Sequence, residues 1–145
     1  MIMDHKLKLM VVDDSPLFRT WLIHSLSADD RFQVVGYAVN ALDAQEKIPL
    51  LQPDMLTLDI EMPGMSGIDF LKQLLPVHPI PVILVSSLNL RVFDALEAGA
   101  VDFVRKPDEA NGLSKEIFLS MLRSKLLVAA ASHVHLPSVP ASPQA

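Results

Sequence analysis

Lys8-Leu9-Met10-Val11-Val12-Asp13-Asp14-Ser15-Pro16 is the stretch that decides the fold. Lys8–Val12 is almost continuously apolar, as expected for a strand covered on both faces, which is the habit of parallel sheets. The run stops at two adjacent carboxylates. Ser15-Pro16 then opens a helix, with the serine as N-cap and the proline at the first helical position, where its missing N–H costs nothing. Leu17, Phe18, Trp21, Leu22 and Leu26 give that helix one broad apolar face.

The same unit recurs along the chain. Further apolar runs lie at Phe32–Ala38, Asp54–Ile60, Val82–Ser86 and Val101–Val104, and segments of helical spacing separate them. Ala41, Ala44, Ile48 and Leu51 mark a second helix that Pro49 is expected to bend or end. Ser66 with Asp69 three residues later is a capping-box variant ahead of Ile68, Leu71, Leu74 and Leu75. A short helix around Leu90–Ala98 is expected to stop at Gly99, and a last one runs from about Leu113 to Ala131. Strand and helix alternating five times predict an α/β domain. Its expected form is a doubly wound, five-stranded parallel sheet with helices on both faces, a flavodoxin-like (βα)5 arrangement. Residues 1–130 make up this domain. Residues 131–145, rich in Pro, Ser and Ala, are expected to be a linker or tail.

Composition narrows the function. The chain has 145 residues, half of them apolar, which suffices for one domain burying about 70% of its unfolded surface. It has no cysteine, so disulfides, thiolate zinc sites and cysteine nucleophiles are excluded. Twelve basic against seventeen acidic residues leave a net charge of −5, with no basic run to hold nucleic acid or anionic lipid. The first ten residues carry Asp4, His5, Lys6 and Lys8 and do not form a signal peptide. No apolar stretch is long enough to insert in a membrane. A cytoplasmic globular domain is the expectation.

In doubly wound sheets ligands sit at the carboxyl ends of the strands. Here the first strand ends in Asp13-Asp14, the third in Asp59, the fourth in Ser86-Ser87 and the fifth in Lys106-Pro107. None of these is specific alone; together, at successive strand ends, they put three carboxylates, a hydroxyl and an ammonium on one edge. At about 4 Å and an effective dielectric near 20, each like-charge pair costs on the order of 4 kcal/mol. A hard divalent cation such as Mg²⁺ relieves that repulsion. An aspartate beside it can act as a nucleophile toward phosphorus, giving an acyl phosphate. Lysine, a compact point charge on a flexible stem, suits neutralisation of phosphoryl oxygens.

The sequence resembles a two-component response-regulator receiver domain over about Lys6 to Leu127. The strings that carry the resemblance are Leu9-Met10-Val11-Val12-Asp13-Asp14-Ser15, Asp54 through Gly67, and Ala98 through Pro107. Within receivers it is most similar to the regulatory domain of the chemotaxis protein-glutamate methylesterases, through Thr57–Pro63, Val85–Leu88 and Gly99–Val104. That resemblance implies Asp59 as phosphoacceptor, and Asp14, Asp59 and the main-chain carbonyl of Glu61 as Mg²⁺ ligands, with Asp13 acting through water. It implies Ser86 and Phe103 as a switch pair, Lys106 as the phosphate-binding lysine, and a cis Lys106–Pro107 bond. It further implies a chemotaxis-type histidine kinase as phosphodonor, and a C-terminal methylesterase domain and chemoreceptors as partners. The unphosphorylated receiver would cover the esterase site, and phosphorylation would shift the surface made by the fourth helix, fifth strand and fifth helix.

Some features depart from that pattern. Ser86 to Gly99 is about one helical turn, roughly four residues, shorter than these regulators usually have. Gly64-Met65-Ser66-Gly67 is not a nucleophile elbow, and His133 and His135 have no acidic partner, so the chain itself is not expected to be the esterase. It is either a regulatory part cut at the linker or a freestanding receiver acting by protein–protein contact. Three competing functions fit the residues less well. A haloacid-dehalogenase-type phosphoaspartyl hydrolase matches the Asp59/Glu61 spacing, but that family carries its aspartates on the first strand. A flavin phosphate would be repelled by Asp13-Asp14, and a vestigial interaction module would not need the full site set. The last helix is apolar on more than one face through Leu113, Ile117, Met121 and Phe118, Leu122, Leu126, which suggests either deep burial or a contact with a partner.

Overall fold

A computed structural model describes residues 6–87 and 91–135. Leu88–Leu90, where the fourth helix is expected to begin, and residues 136–145 of the expected linker lie outside the described residues. The elements are β1 (Leu7–Val12), α1 (Pro16–Ser27), β2 (Phe32–Ala38), α2 (Ala41–Leu51), β3 (Met55–Leu58), α3 (Gly67–Leu74), β4 (Val82–Ser86), α4 (Val92–Glu97), β5 (Asp102–Arg105) and α5 (Lys115–His135), with a 3₁₀ turn at Glu109–Asn111. The strands form one parallel sheet in the order β2-β1-β3-β4-β5. Strand order reverses at β1, and Val12 is in register with Leu58. The residues that follow, Asp13 and Asp59, therefore emerge side by side at the switch point.

Alternation of side chains along the strands divides the apolar residues between two layers. Met10, Val12, Leu56, Leu58, Val82 and Leu84 face α2, α3 and α4, meeting Ala44, Ile48, Phe70, Leu71 and Ala95. Leu9, Val11, Met55, Ile83, Val85 and Val104 face α1 and α5, meeting Leu22, Leu26, Phe118, Leu122 and Leu126. Each of the Val, Leu, Ile, Met and Phe side chains among these contributes about 1.5–3 kcal/mol on burial, and both faces of the sheet are covered as the sequence predicts.

The local signals are satisfied in detail. Ser15 Oγ accepts from the Phe18 N–H at the start of α1, and Ser66 Oγ accepts from the Asp69 N–H at the start of α3. Gly67 lets α3 begin against the backbone of the third loop: a Cβ there would meet Ile60 Cα at 2.8 Å and the Asp59 carbonyl at 2.9 Å. Two helix ends differ from expectation. Pro49 does not end α2, because it removes only its own N–H, and the Gln52 N–H still donates to the Ile48 carbonyl at 2.8 Å. α5 continues past Ala131 to His135, since no breaker precedes Pro137.

On α5, Phe118, Leu122 and Leu126 are buried, whereas Ile117, Met121 and Val128 are exposed. β5 is an edge strand, and side chains serve the main chain of its second residue. The Phe103 N–H donates to Asp102 Oδ1 at 2.7 Å, and the Phe103 carbonyl accepts from Lys125 Nζ at 2.9 Å. Lys125 also pairs with Asp102 at 3.0 Å and lies 5.5 Å from the centre of the Phe103 ring.

Candidate functional site

The acidic corner is built by main-chain hydrogen bonds. The Asp13 N–H donates to the Ala38 carbonyl and the Asp59 N–H to the Val12 carbonyl, each at 3.0 Å, which locks the ends of β1, β2 and β3 together. Side-chain oxygens of Asp13, Asp14 and Asp59 then lie within 4.8 Å of one another. Asp13 and Asp59 are buried and Asp14 is exposed. Each buried carboxylate has one oxygen fixed by a turn: Asp13 Oδ1 accepts from the Ser15 N–H at 2.8 Å, and Asp59 Oδ1 from the Glu61 N–H at 3.1 Å. The remaining oxygens share one cation. Lys106 Nζ sits 3.0 Å from Asp13 Oδ2 and 3.3 Å from Asp59 Oδ2.

Lys106 reaches those acids from the far side of the sheet because its own N–H donates to the Ser86 carbonyl at 3.0 Å, just beyond the β4–β5 ladder. Ser86 is buried between them in the strand order. The ring of Phe103 is half-buried against the layer that holds α3 and α4. No cis peptide bond occurs among the described residues, so Lys106–Pro107 is trans, contrary to the expectation. The trans form is the lower in energy by about 0.5–1 kcal/mol for an X–Pro bond, and in it Lys106 already reaches both carboxylates.

The Asp59 carboxyl is held above its ordinary value. Burial is the largest cause; Lys106 and the Glu61 N–H pull the other way, and the neighbouring Asp13 charge adds to the rise. A buried acid pair and a third, exposed carboxylate thus outnumber the single ammonium beside them. The donor set is all oxygen, and the charge is in excess, so these residues fit a hard divalent cation. Glu61 is exposed and turns its N–H toward Asp59. Beside the acids, Ile60, Glu61, Met62, Ser66 and Arg91 line a depression of about 360 Å³.

Of the residues read from the strand ends, Asp13, Asp14, Asp59 and Lys106 meet here, while Ser86 is buried at the end of β4 and Ser87 is exposed. Two more residues belong to the site that the strand ends alone do not point to. The Phe18 ring centre is 4.5 Å from Lys106 Nζ, and Arg19 Nη1 donates to the Asp13 carbonyl at 2.8 Å while its guanidinium lies over Tyr37. In the sequence Phe18 is legible only as part of an apolar helix face, which is also true of it: it packs with Trp21 and Phe118.

Comparison with known proteins agrees with this geometry. The family model described as the response regulator receiver domain matches residues 9–118. A protein-glutamate methylesterase/protein-glutamine glutaminase of Syntrophomonas wolfei is 45% identical over 129 residues, which cover 89% of this chain and 38% of that protein. A counterpart from Vibrio vulnificus is 43% identical over 137 residues, covering 92% of this chain and 40% of that protein. The chain thus spans about two fifths of the length of these curated relatives. Among solved structures, the response regulator domain of Thermotoga maritima CheB superposes with a TM-score of 0.77 at 36% identity, covering 88% of this chain and 98% of that one. The crystal structure of the P1 domain of CheA3 in complex with CheY6 from R. sphaeroides gives a TM-score of 0.70 at 28% identity, covering 86% and 96%. The haloacid-dehalogenase-type reading finds no support in these matches. Among the described residues no helix is long and apolar enough to cross a membrane.

Proposed function

Since the chain belongs to the response regulator receiver family, we propose that Asp59 accepts a phosphoryl group from a histidine kinase and that the domain switches its α4–β5–α5 surface in response. The observation that carries this reading is Lys106 Nζ lying 3.0 Å from Asp13 and 3.3 Å from Asp59 over a cluster of three carboxylates. In the transfer, a carboxylate oxygen of Asp59 forms an O–P bond as the P–N bond of the donor's phosphohistidine breaks. The departing imidazole nitrogen takes up a proton. Lys106, 3.3 Å from Asp59 Oδ2, neutralises the incoming phosphoryl oxygens, and the Glu61 N–H keeps the other Asp59 oxygen fixed, so that one oxygen of the acid is presented for attack.

Asp13, Asp14 and Asp59, with the main-chain carbonyl of Glu61, would hold Mg²⁺, whose charge lets phosphoryl oxygens enter an acidic pocket. Ser86 and Phe103 form the switch: the hydroxyl bonds the added phosphoryl group, and the ring follows it inward. Because the switch is a shift between two states, the phosphoryl group must interact better with one of them. The output is regulation of a protein-glutamate methylesterase domain in the same polypeptide, released from inhibition on phosphorylation and acting on chemoreceptors in the cytoplasm. This part rests on the two methylesterase relatives.

The test is intact mass after incubation with phosphoramidate, with and without Mg²⁺, on wild type and Asp59→Asn. One Mg²⁺-dependent phosphoryl adduct that is lost in the variant is expected. An adduct that persists in Asp59→Asn, or none in wild type, removes the assignment.

A further inference from the structure

The Lys106 ammonium has a third neighbour besides its two carboxylates: the face of the Phe18 ring, whose centre lies 4.5 Å from Nζ. We infer that Phe18 is a positioning residue for the phosphoryl transfer proposed above, holding Lys106 over the acidic pocket through the negative face of its ring. The inference rests on that reading of the site, but its geometry stands independently of it.

Lysine needs such a hold. Its stem has four rotatable bonds, and its charge is a point that any nearby anion can attract. Asp13 and Asp59 hold it through oxygens that a bound cation would also use. Such a cation weakens the carboxylates' grip, which is when the ammonium must stay in place. The ring's attraction comes from its quadrupole and is untouched by that competition.

The ring is itself packed in place. The main-chain N–H of Phe18 donates to Ser15 Oγ at 3.4 Å, in the first turn of α1. Its ring packs against Trp21 at 5.6 Å and edge-on against Phe118 at 5.8 Å, and Phe118, a residue of α5, is buried. Trp21 and Phe118 close the triangle at 5.9 Å. Phe18 thus anchors one side of Lys106 to an aromatic cluster between α1 and α5. A cation over a ring within about 6 Å is in range for this attraction, and the interaction strengthens as the ion is desolvated. The Lys106 side chain is only 16% exposed.

A role in packing alone would use the same contacts, so the test must change the ring's charge distribution and not its shape. Phenylalanine carrying one, two or three ring fluorines, placed at position 18 of the whole chain, does this. Two quantities are then followed: the single-turnover rate of phosphorylation by phosphoramidate, read by intact mass, and the thermal unfolding midpoint. A third readout is free of phosphorylation: the upfield ring-current shift of the Lys106 side-chain protons, assigned by its loss in Lys106→Met.

The expected result is a stepwise fall in rate, reaching about tenfold with three fluorines, with the ring-current shift falling in parallel and the midpoint unchanged. A rate and shift that stay flat across the series, while Phe18→Leu lowers rate and midpoint together, would reduce Phe18 to packing and overturn the inference. If wild type forms no adduct at all, the reading of the site is what fails. A ring-current shift absent from wild type overturns the Phe18–Lys106 contact itself.

Discussion

Asp59→Asn should make the protein more stable, although it removes a partner of Lys106. The acid's oxygens lie within 4.8 Å of those of Asp13 and Asp14. At an effective dielectric near 20, a like-charge pair at that distance costs about 3.5 kcal/mol. Solvent screens the exposed Asp14 to about half of that, so repulsion totals about 5 kcal/mol. The Lys106 ammonium at 3.3 Å returns about 5 kcal/mol in the same medium. These terms cancel, and burial decides the sign: Asp59 is 5% exposed, and the desolvation of its charge is the largest cause of its raised pKa. Asparagine keeps the volume and still accepts from the Glu61 N–H, at the lower cost of burying a neutral amide. We expect a gain of about 1–2 kcal/mol at pH 7 without divalent cations, or roughly 4–8 °C in Tm for a domain of this size. The pH dependence has a definite sign. A carboxyl with a raised folded-state pKa penalises the folded state once it ionises. The variant's advantage is therefore absent below the ordinary value of 3.8 and grows as pH rises through the higher, folded-state value. Calorimetric melts of both proteins from pH 3.5 to 7 would show this. A variant that melts below wild type at pH 7 would mean that the Lys106 attraction outweighs burial, and the reasoning would be refuted.

Three further outcomes follow from the same geometry. Lys106→Met leaves Asp13 and Asp59 facing each other without a cation, and should cost about 3–5 kcal/mol at pH 7 in chemical denaturation, a deficit that narrows on acidification as Asp59 protonates. Asp29 is held down at about 2, chiefly by its hydrogen bond with Arg31 at 2.7 Å, with Arg123 of α5 at 3.5 Å assisting. Its contribution is present above pH 3.8 and is lost as pH falls through about 2, so Asp29→Asn should be the less stable protein near neutrality, by a gap that shrinks steadily on acidification between about pH 5 and 2; a gap that stays constant over that range would contradict it. Gly67→Ala would press a methyl onto Ile60 Cα and the Asp59 carbonyl and should cost about 1–3 kcal/mol in urea unfolding, with an unchanged m-value.

The sheet is legible in the sequence because its central strands are buried on both faces, and continuous apolar runs such as Leu9–Val12 and Val82–Val85 fit few elements besides a covered strand. The acidic corner is legible for a topological reason: once the strands are parallel, their carboxyl ends share one edge, and Asp13, Asp59 and Lys106 need no further information to meet. What one dimension hides is orientation around a helix. Phe18 and Leu17 are adjacent apolar residues, yet Leu17 is 87% exposed and Phe18 turns to Lys106. Ile117 and Phe118 divide in the same way, because two apolar stripes on α5 offer no sequence-level rule for which one meets the sheet. Pro49 misleads for a related reason. A proline forfeits the bond its own N–H would donate back to the i−4 carbonyl, and the bonds beyond it survive, so α2 runs on to Leu51.

The clamp on β5 has a consequence for assembly. An edge strand ordinarily offers its free N–H and C=O groups as a template for another chain's backbone. At Phe103 both groups are already committed, one to a carboxylate and the other to an ammonium. An invading strand would have to break a charge-assisted pair and leave Asp102 and Lys125 desolvated against its own backbone. Strand addition is thus opposed at Phe103, in the middle of this margin, and a protein that docks here is favoured to recognise side chains and helix surfaces over adding a sixth strand.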